Sequence, residues 1–130
     1  MEVKCNLIKL KPGSLPLVRN WAETLNSRMR EVLATLHDET VVIESVFLLS
    51  RGDGDYLVYY MRAQSMEKAR KAVQSSPHEI DTFHQQFKKD AWESSERTEL
   101  LLDASTLEGN LDPDVKQHDA GDVLAAAGPT

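Results

Sequence analysis

Cysteine is almost missing from this chain of 130 residues. Cys5 is its one thiol, which excludes an internal disulfide framework and the paired-cysteine patterns of structural zinc sites. No apolar run approaches the ~20 residues of a membrane-spanning helix. The opening Met1-Glu2-Val3-Lys4 lacks the apolar core of a secretion signal, and no Asn-x-Ser/Thr acceptor site follows. Basic charge is in deficit: 15 Lys and Arg stand against 21 Asp and Glu, a net charge of -6. That balance argues against a nucleic-acid partner, which needs a basic face. A cytoplasmic protein that engages neither membrane nor nucleic acid is expected. What remains is a hydrophobic fraction of 41%, enough for one compact domain with an appendage.

Val3 to Lys11 reads as a strand, with Val3, Cys5 and Leu7 on one face and Ile8 and Leu10 on the other; Cys5 reads as a buried structural thiol. Pro12-Gly13 ends it. Ser14 then opens a helix, with Pro16 tolerated in its first turn. Val18, Trp21, Ala22, Leu25, Met29, Val32, Leu33 and Leu36 continue at helical spacing, predicting one long amphipathic helix to His37-Asp38. Val41 to Leu49 is a second strand, and Arg51-Gly52-Asp53-Gly54-Asp55 supplies a tight hairpin turn into a third, Tyr56 to Met61. Ser65 caps a helix carrying Met66, Ala69, Ala72 and Val73. The pattern restarts with Ser76 as a cap, Pro77 in the first helical position and Glu79 completing a capping box. Ile80, Phe83, Phe87 and Ala91 form the stripe of this helix. A last strand is expected over Thr98 to Asp103, around Leu100-Leu101-Leu102.

The order βαββαβ is the ferredoxin-like α+β plan, spanning residues 1–103. Residues 104–130 change character, with no aromatics, five acids against Lys116, and Gly, Pro and Ala punctuation. Such a segment buries too little apolar area to offset its ordering entropy, so a disordered acidic tail is expected.

The second and third strands are apolar on both faces. In a lone domain of this plan helices cover one sheet face and water meets the other, which should then alternate with polar residues. Here the second face needs a cover. Two sheets packed face to face, a homodimeric α/β barrel with a partly enclosed interior, answer that need.

Four segments carry a resemblance: Ile8-Lys9-Leu10-Lys11-Pro12-Gly13, Glu44-Ser45-Val46-Phe47-Leu48, the run from Arg51 to Arg62, and His78-Glu79-Ile80-Asp81-Thr82-Phe83-His84. Together they resemble a family of small bacterial and archaeal proteins of unknown function, over roughly residues 4 to 103. The glycine hairpin with its following strand is the most specific part. Glu79 departs from the proline that often follows the first histidine of the last segment. More distantly, the plan resembles the dimeric α+β barrel superfamily, which includes monooxygenases of antibiotic biosynthesis, haem-degrading oxygenases, lactone isomerases and stress-responsive barrel proteins. That resemblance implies a fold more than a chemistry. Asn6 on the first strand, with a histidine in the second helical region, resembles the haem-degrading members, but their tryptophan has no counterpart.

Glu44 interrupts the apolar second strand between Val42 and Val46. It is read either as a carboxylate in a partly enclosed interior, with a raised pKa suited to acid–base work, or as a residue at the interface mouth paired with Arg62 or a lysine. His84 lies on the Ile80-Phe83-Phe87 stripe, and Asp81 precedes it by three residues, close enough to orient its ring. With Glu44 the two would form a proton relay or a carboxylate–histidine metal site. The plainer alternative is a hydrogen-bonded histidine at the core border, on the helix side and away from a barrel interior. Tyr56, Tyr59 and Tyr60 offer hydroxyls to a ligand, or else pack with their polar tips at the rim. Trp21 and Trp92 read as packing residues.

Three functions are therefore open: a protein that binds a small apolar or aromatic molecule between its strands, a cofactor-independent oxygenase or isomerase using Glu44 or His84, and an interaction protein with a packed core. The sequence contains no complete catalytic set, and neither a cofactor nor a metal is expected.

Overall fold

The computed structural model describes residues 1–107. The fold and the site below belong to the compact unit Glu2–Leu100. The tail expected from residue 104, including its Val123–Ala127 run, lies outside the described residues beyond position 107.

The elements are β1 (Glu2–Leu10), α1 (Leu15–Ser27), α2 (Met29–Asp38), β2 (Val41–Arg51), β3 (Gly54–Ala63), α3 (Met66–Gln74), α4 (Glu79–Ala91) and β4 (Trp92–Arg97). The strands form one antiparallel sheet in the order β2-β3-β1-β4. This is the ferredoxin-like α+β plan, with a pair of helices in each crossover where the sequence suggested one long helix and then a restart.

The long first helix breaks at Arg28 because its neighbours compete for backbone carbonyls. Asn26 Nδ2 donates to the Ala22 carbonyl and Ser27 Oγ to that of Thr24, an alternative that loosens a helix from within. Ser65 caps α3 as expected, its Oγ accepting from the Lys68 N–H. The capping box predicted at Ser76 is not formed. Ser76 Oγ instead accepts from His78 N–H, and α4 begins at Glu79 with no side-chain cap.

The last strand also differs from expectation. It occupies Trp92–Arg97, not Thr98–Asp103, and Leu100, Leu101 and Leu102 are 57%, 86% and 82% exposed. Extended backbone starts at Trp92, directly after α4, so the strand begins before the leucines. An edge strand tolerates the polar Glu-Ser-Ser-Glu that fills it, since charged edges resist pairing with other chains.

The β2–β3 hairpin closes with Arg51 opposite Gly54. Gly54, at φ +142, takes the conformation closed to other residues, while Gly52 does not require it. Asp53 ties the turn together by accepting from Tyr56 Oη at 2.7 Å and from Arg51. Between α2 and β2 only Glu39 and Thr40 intervene, and Thr40 sits at φ 61, an uncommon place for a β-branched residue.

Strand alternation splits the sheet into two faces. Lys4, Asn6, Ile8 and Leu10 of β1, Leu57, Tyr59 and Met61 of β3, and Glu44, Val46 and Leu48 of β2 share the helix side, as their cross-strand pairing requires. Ile8, Leu10 and Leu57 pack there against Val18, Trp21, Phe87 and Ala91, with the Trp21 and Phe87 rings stacked at 4.6 Å. A second cluster, Val41, Ala63 and Ala69, lies under α3. The opposite face carries Phe47 at 61% exposure and Leu49 at 39%, with half-buried Cys5, Leu7 and Val58 beside them. Cys5 is thus not buried as expected in the isolated chain.

Ile8 and Leu57 are the largest fully enclosed side chains. Leu57→Ala is expected to lower the unfolding free energy by about 2–5 kcal/mol, the usual cost of a large-to-small core change. Urea denaturation would register it, and a loss below ~1 kcal/mol would place the core elsewhere.

Candidate functional site

The two apolar clusters do not meet. Between them the helix layer leaves a pocket of about 410 Å³ against the centre of the sheet. Its chemistry comes from polar residues on the helix face of each strand and from one stripe of α4. Asn6 and Val46 flank Tyr59 across the sheet, and Lys4 and Glu44 flank Met61 one step along. On α4, Asp81, His84 and Lys88 recur at helical spacing, so one face of the helix presents an acid, an imidazole and an ammonium in turn.

A hydrogen-bonded chain runs through the centre of this pocket. Trp21 Nε1–H donates to His84 Nδ1 at 3.0 Å. His84 Nε2 stands 3.4 Å from Tyr59 Oη, and Tyr59 O–H donates to Glu44 Oε1. An indole nitrogen only donates, so His84 Nδ1 must carry a lone pair and the proton must sit on Nε2. His84 is then a donor to Tyr59, and Tyr59 a donor to Glu44. Glu44's second oxygen has no partner among the described residues.

Electrostatics follow from enclosure. Burial lowers the His84 pKa to about 4, with the Lys88 charge adding to it, so the ring stays neutral at physiological pH. Tyr59 is pushed well above the usual phenol range by burial and by the Glu44 charge. Burial also raises Glu44; the Tyr59 hydrogen bond opposes that rise, Asp81 adds to it, and Lys88 and Lys4 oppose it. Glu39, at the end of α2, is raised to about 8, first by burial and then by the charges of Asp81, Glu44 and Asp38. Two carboxyl groups in one pocket therefore hold protons more tightly than ordinary carboxylates.

Of the residues singled out from sequence, Glu44, His84, Asp81, Tyr59 and Asn6 all line this pocket. Tyr56 and Tyr60 do not. Alternation turns them to the other face, where Tyr56 Oη bonds Asp53 and Tyr60 Oη accepts from Arg62 Nε at 3.1 Å. Glu44 is not paired with Arg62, which also lies on that other face. The group that orients His84 is Trp21, not Asp81. The helix side, which the sequence reading set apart from a functional interior, is where Glu44 and His84 meet.

Sequence reasoning passed over Trp21, Glu39, Lys4 and Lys88. A signal for Lys4 existed: on the face shared with Ile8 and Leu10, β1 turns polar at Lys4 and Asn6. Glu39 gave a weaker one, an acid set between a helix and a buried strand. Nothing in the sequence distinguishes Trp21 from a packing residue. Among the described residues, no group of three His, Cys, Asp or Glu is disposed to hold a metal ion, and no helix is long and apolar enough to cross a membrane.

Nitrogen-15 NMR of His84 is expected to show the Nε2–H form, uncharged until the pH falls to about 4. A histidine with a lowered pKa withholds a proton that the unfolded chain takes up. Its contribution to stability is therefore complete above pH ~6.5 and is lost as the pH falls toward 4. Trp21→Phe should release Nδ1 and let the ring populate the Nδ1–H tautomer as well. Unchanged nitrogen-15 shifts in this variant would mean that the indole does not hold the tautomer.

Comparison with known proteins supports the architecture. Among solved structures the fold is similar to that of an L-rhamnose mutarotase from Formosa agariphila, with a TM-score of 0.55 at 15% identity, covering 81% of this chain and 100% of that one. At that identity the likeness establishes the fold alone. No curated protein matches the chain. The family resemblance read from the hairpin and the histidine segment has a direct counterpart: residues 1–109 match the model of DUF6176, and the chain belongs to this family of unknown function.

Proposed function

We propose that the protein is a cofactor-independent isomerase, moving protons within a small hydroxylated molecule held between sheet and helices. The observation that carries this reading is the Trp21–His84–Tyr59–Glu44 chain opening on a half-open pocket. His84, fixed as a neutral donor, is a poor proton acceptor. The carboxyl groups are left to carry the proton. Glu44, in its carboxylate form, is the base, with Tyr59 and His84 setting its orientation. Glu39, with a pKa of about 8, is still protonated near neutrality and can act as the acid.

Opening a cyclic hemiacetal needs this pairing, one group to take the hydroxyl proton and another to protonate the ring oxygen. The mutarotase named among the similar folds adds weight to that choice of reaction. The hydroxyls of such a molecule would match the charged and hydrogen-bonding groups that stand among the apolar side chains of the lining.

The test is anomer exchange measured by NMR on a set of aldoses and uronates. The wild-type protein is expected to accelerate exchange of at least one of them. Glu44→Gln should reduce that rate by about 10²-fold or more, in line with the loss of a general base, while leaving the fold intact by circular dichroism. No acceleration by either protein would overturn the reading and favour a binding protein without turnover, and equal acceleration by both would remove Glu44 as the base.

The same proposal includes a homodimer joined through the open sheet face. Its support is the apolar strip around Phe47 and Leu49, which a monomer leaves in water. Sedimentation should give twice the chain mass for the wild-type protein and a single chain for Phe47→Glu. A monomeric wild-type protein would remove the barrel from this account.

A further inference from the structure

The charges in the pocket bear on what it holds. Glu39 feels the charges of Asp81 and Glu44, and Lys88 those of Lys4 and Glu44. Asp81 and Lys88 are seven residues apart, or ~10 Å along the helix. Lys4 comes from β1 and Lys88 from α4, and both line the pocket, one from each layer.

Neither lysine has a carboxylate within ion-pair distance among the described residues. Lys88 Nζ instead lies 4.7 Å from the centre of the Trp92 ring. A cation–π contact offsets only part of what a half-buried ammonium loses on leaving water. Two facing cations also repel each other. The Trp92 Nε1–H and the Asn6 Oδ1 beside them are buried without hydrogen-bond partners, and both residues line the pocket. Donors and an acceptor are thus gathered here with nothing in the protein to satisfy them.

Resting on the acid–base reading of the same pocket, we infer that the molecule it takes is a hydroxylated carboxylate, its carboxylate held between Lys4 and Lys88 and its hydroxyl-bearing carbons lying toward Glu44. The two lysines supply the charge. Trp92 Nε1–H is a further donor to a carboxylate oxygen, and Asn6 Oδ1 an acceptor for a neighbouring hydroxyl. Asp81, two turns of α4 away from Lys88, disfavours the reverse orientation by like-charge repulsion.

Binding of matched probes by the full chain decides the point. D-glucuronate is compared with D-glucose, and L-lactate with propane-1,2-diol, by calorimetry at low and moderate salt. At least one carboxylate is expected to bind tenfold or more tightly than its neutral partner, with the preference shrinking as salt rises. Lys88→Met and Lys4→Met should each abolish that preference. Unchanged thermal unfolding of Lys88→Met and Lys4→Met shows that both variants fold. Lys88→Arg, which keeps the charge, should restore most of the preference. Equal binding of charged and neutral partners, or a preference that survives both Met variants, overturns the inference. The two readings fail separately: carboxylate binding without Glu44-dependent exchange sinks the isomerase alone, and exchange of neutral aldoses without carboxylate preference sinks this inference alone.

Discussion

Tyr59 joins sheet and helix layer by polar contact in the middle of the pocket. It stands on β3, one of the two central strands, and its hydroxyl lies between Glu44 of β2 and His84 of α4. A phenol buried there has to place its proton somewhere, and the raised pKa keeps that proton on the oxygen. Each neighbour's role follows in turn. Glu44 must accept, His84 can only donate, and Trp21 keeps His84 from doing otherwise. Low polarity strengthens every bond in such a series and makes any unfilled partner costly.

That cost explains why the pocket lies between two apolar clusters instead of being filled. Ile8, Leu57, Trp21 and Phe87 close one end of the helix–sheet interface, and Val41, Ala63 and Ala69 close the other. Between them apolar side chains alternate with groups that carry charge or hydrogen-bonding atoms and cannot pack as hydrocarbon. The apolar clusters provide the rigidity, and the polar middle is held open by them. Thr40, strained beside Glu39 in the two-residue link from α2 to β2, adjoins this region.

The other sheet face shows a different balance. Tyr56 and Tyr60 have their hydroxyls engaged by Asp53 and Arg62, so that surface has few unmet polar groups. Its exposed Phe47 and Leu49 are apolar. One face of the sheet is suited to chemistry and the other to contact, and the pleat of β3 separates them residue by residue, Tyr59 inward and Tyr60 outward.

Much of this was legible in the sequence. Periodicity and turn chemistry were enough for the ferredoxin-like plan, because amphipathic stripes and glycine hairpins are local properties of the chain. The carboxylate in β2 and the histidine in α4 stood out against apolar surroundings for the same reason. The split of the first helix at Arg28 and the start of β4 at Trp92 did not stand out, since side-chain competition and strand pairing with β1 settled them. Nor did the sequence tell which sheet face the helices would cover. Tertiary packing alone decided that, and with it placed Glu44 and His84 on one side of the sheet and turned Tyr56 and Tyr60 to the other. A residue's type and spacing are written in the chain, but its hydrogen-bond partner across 63 positions, as between Trp21 and His84, exists only once the layers have met.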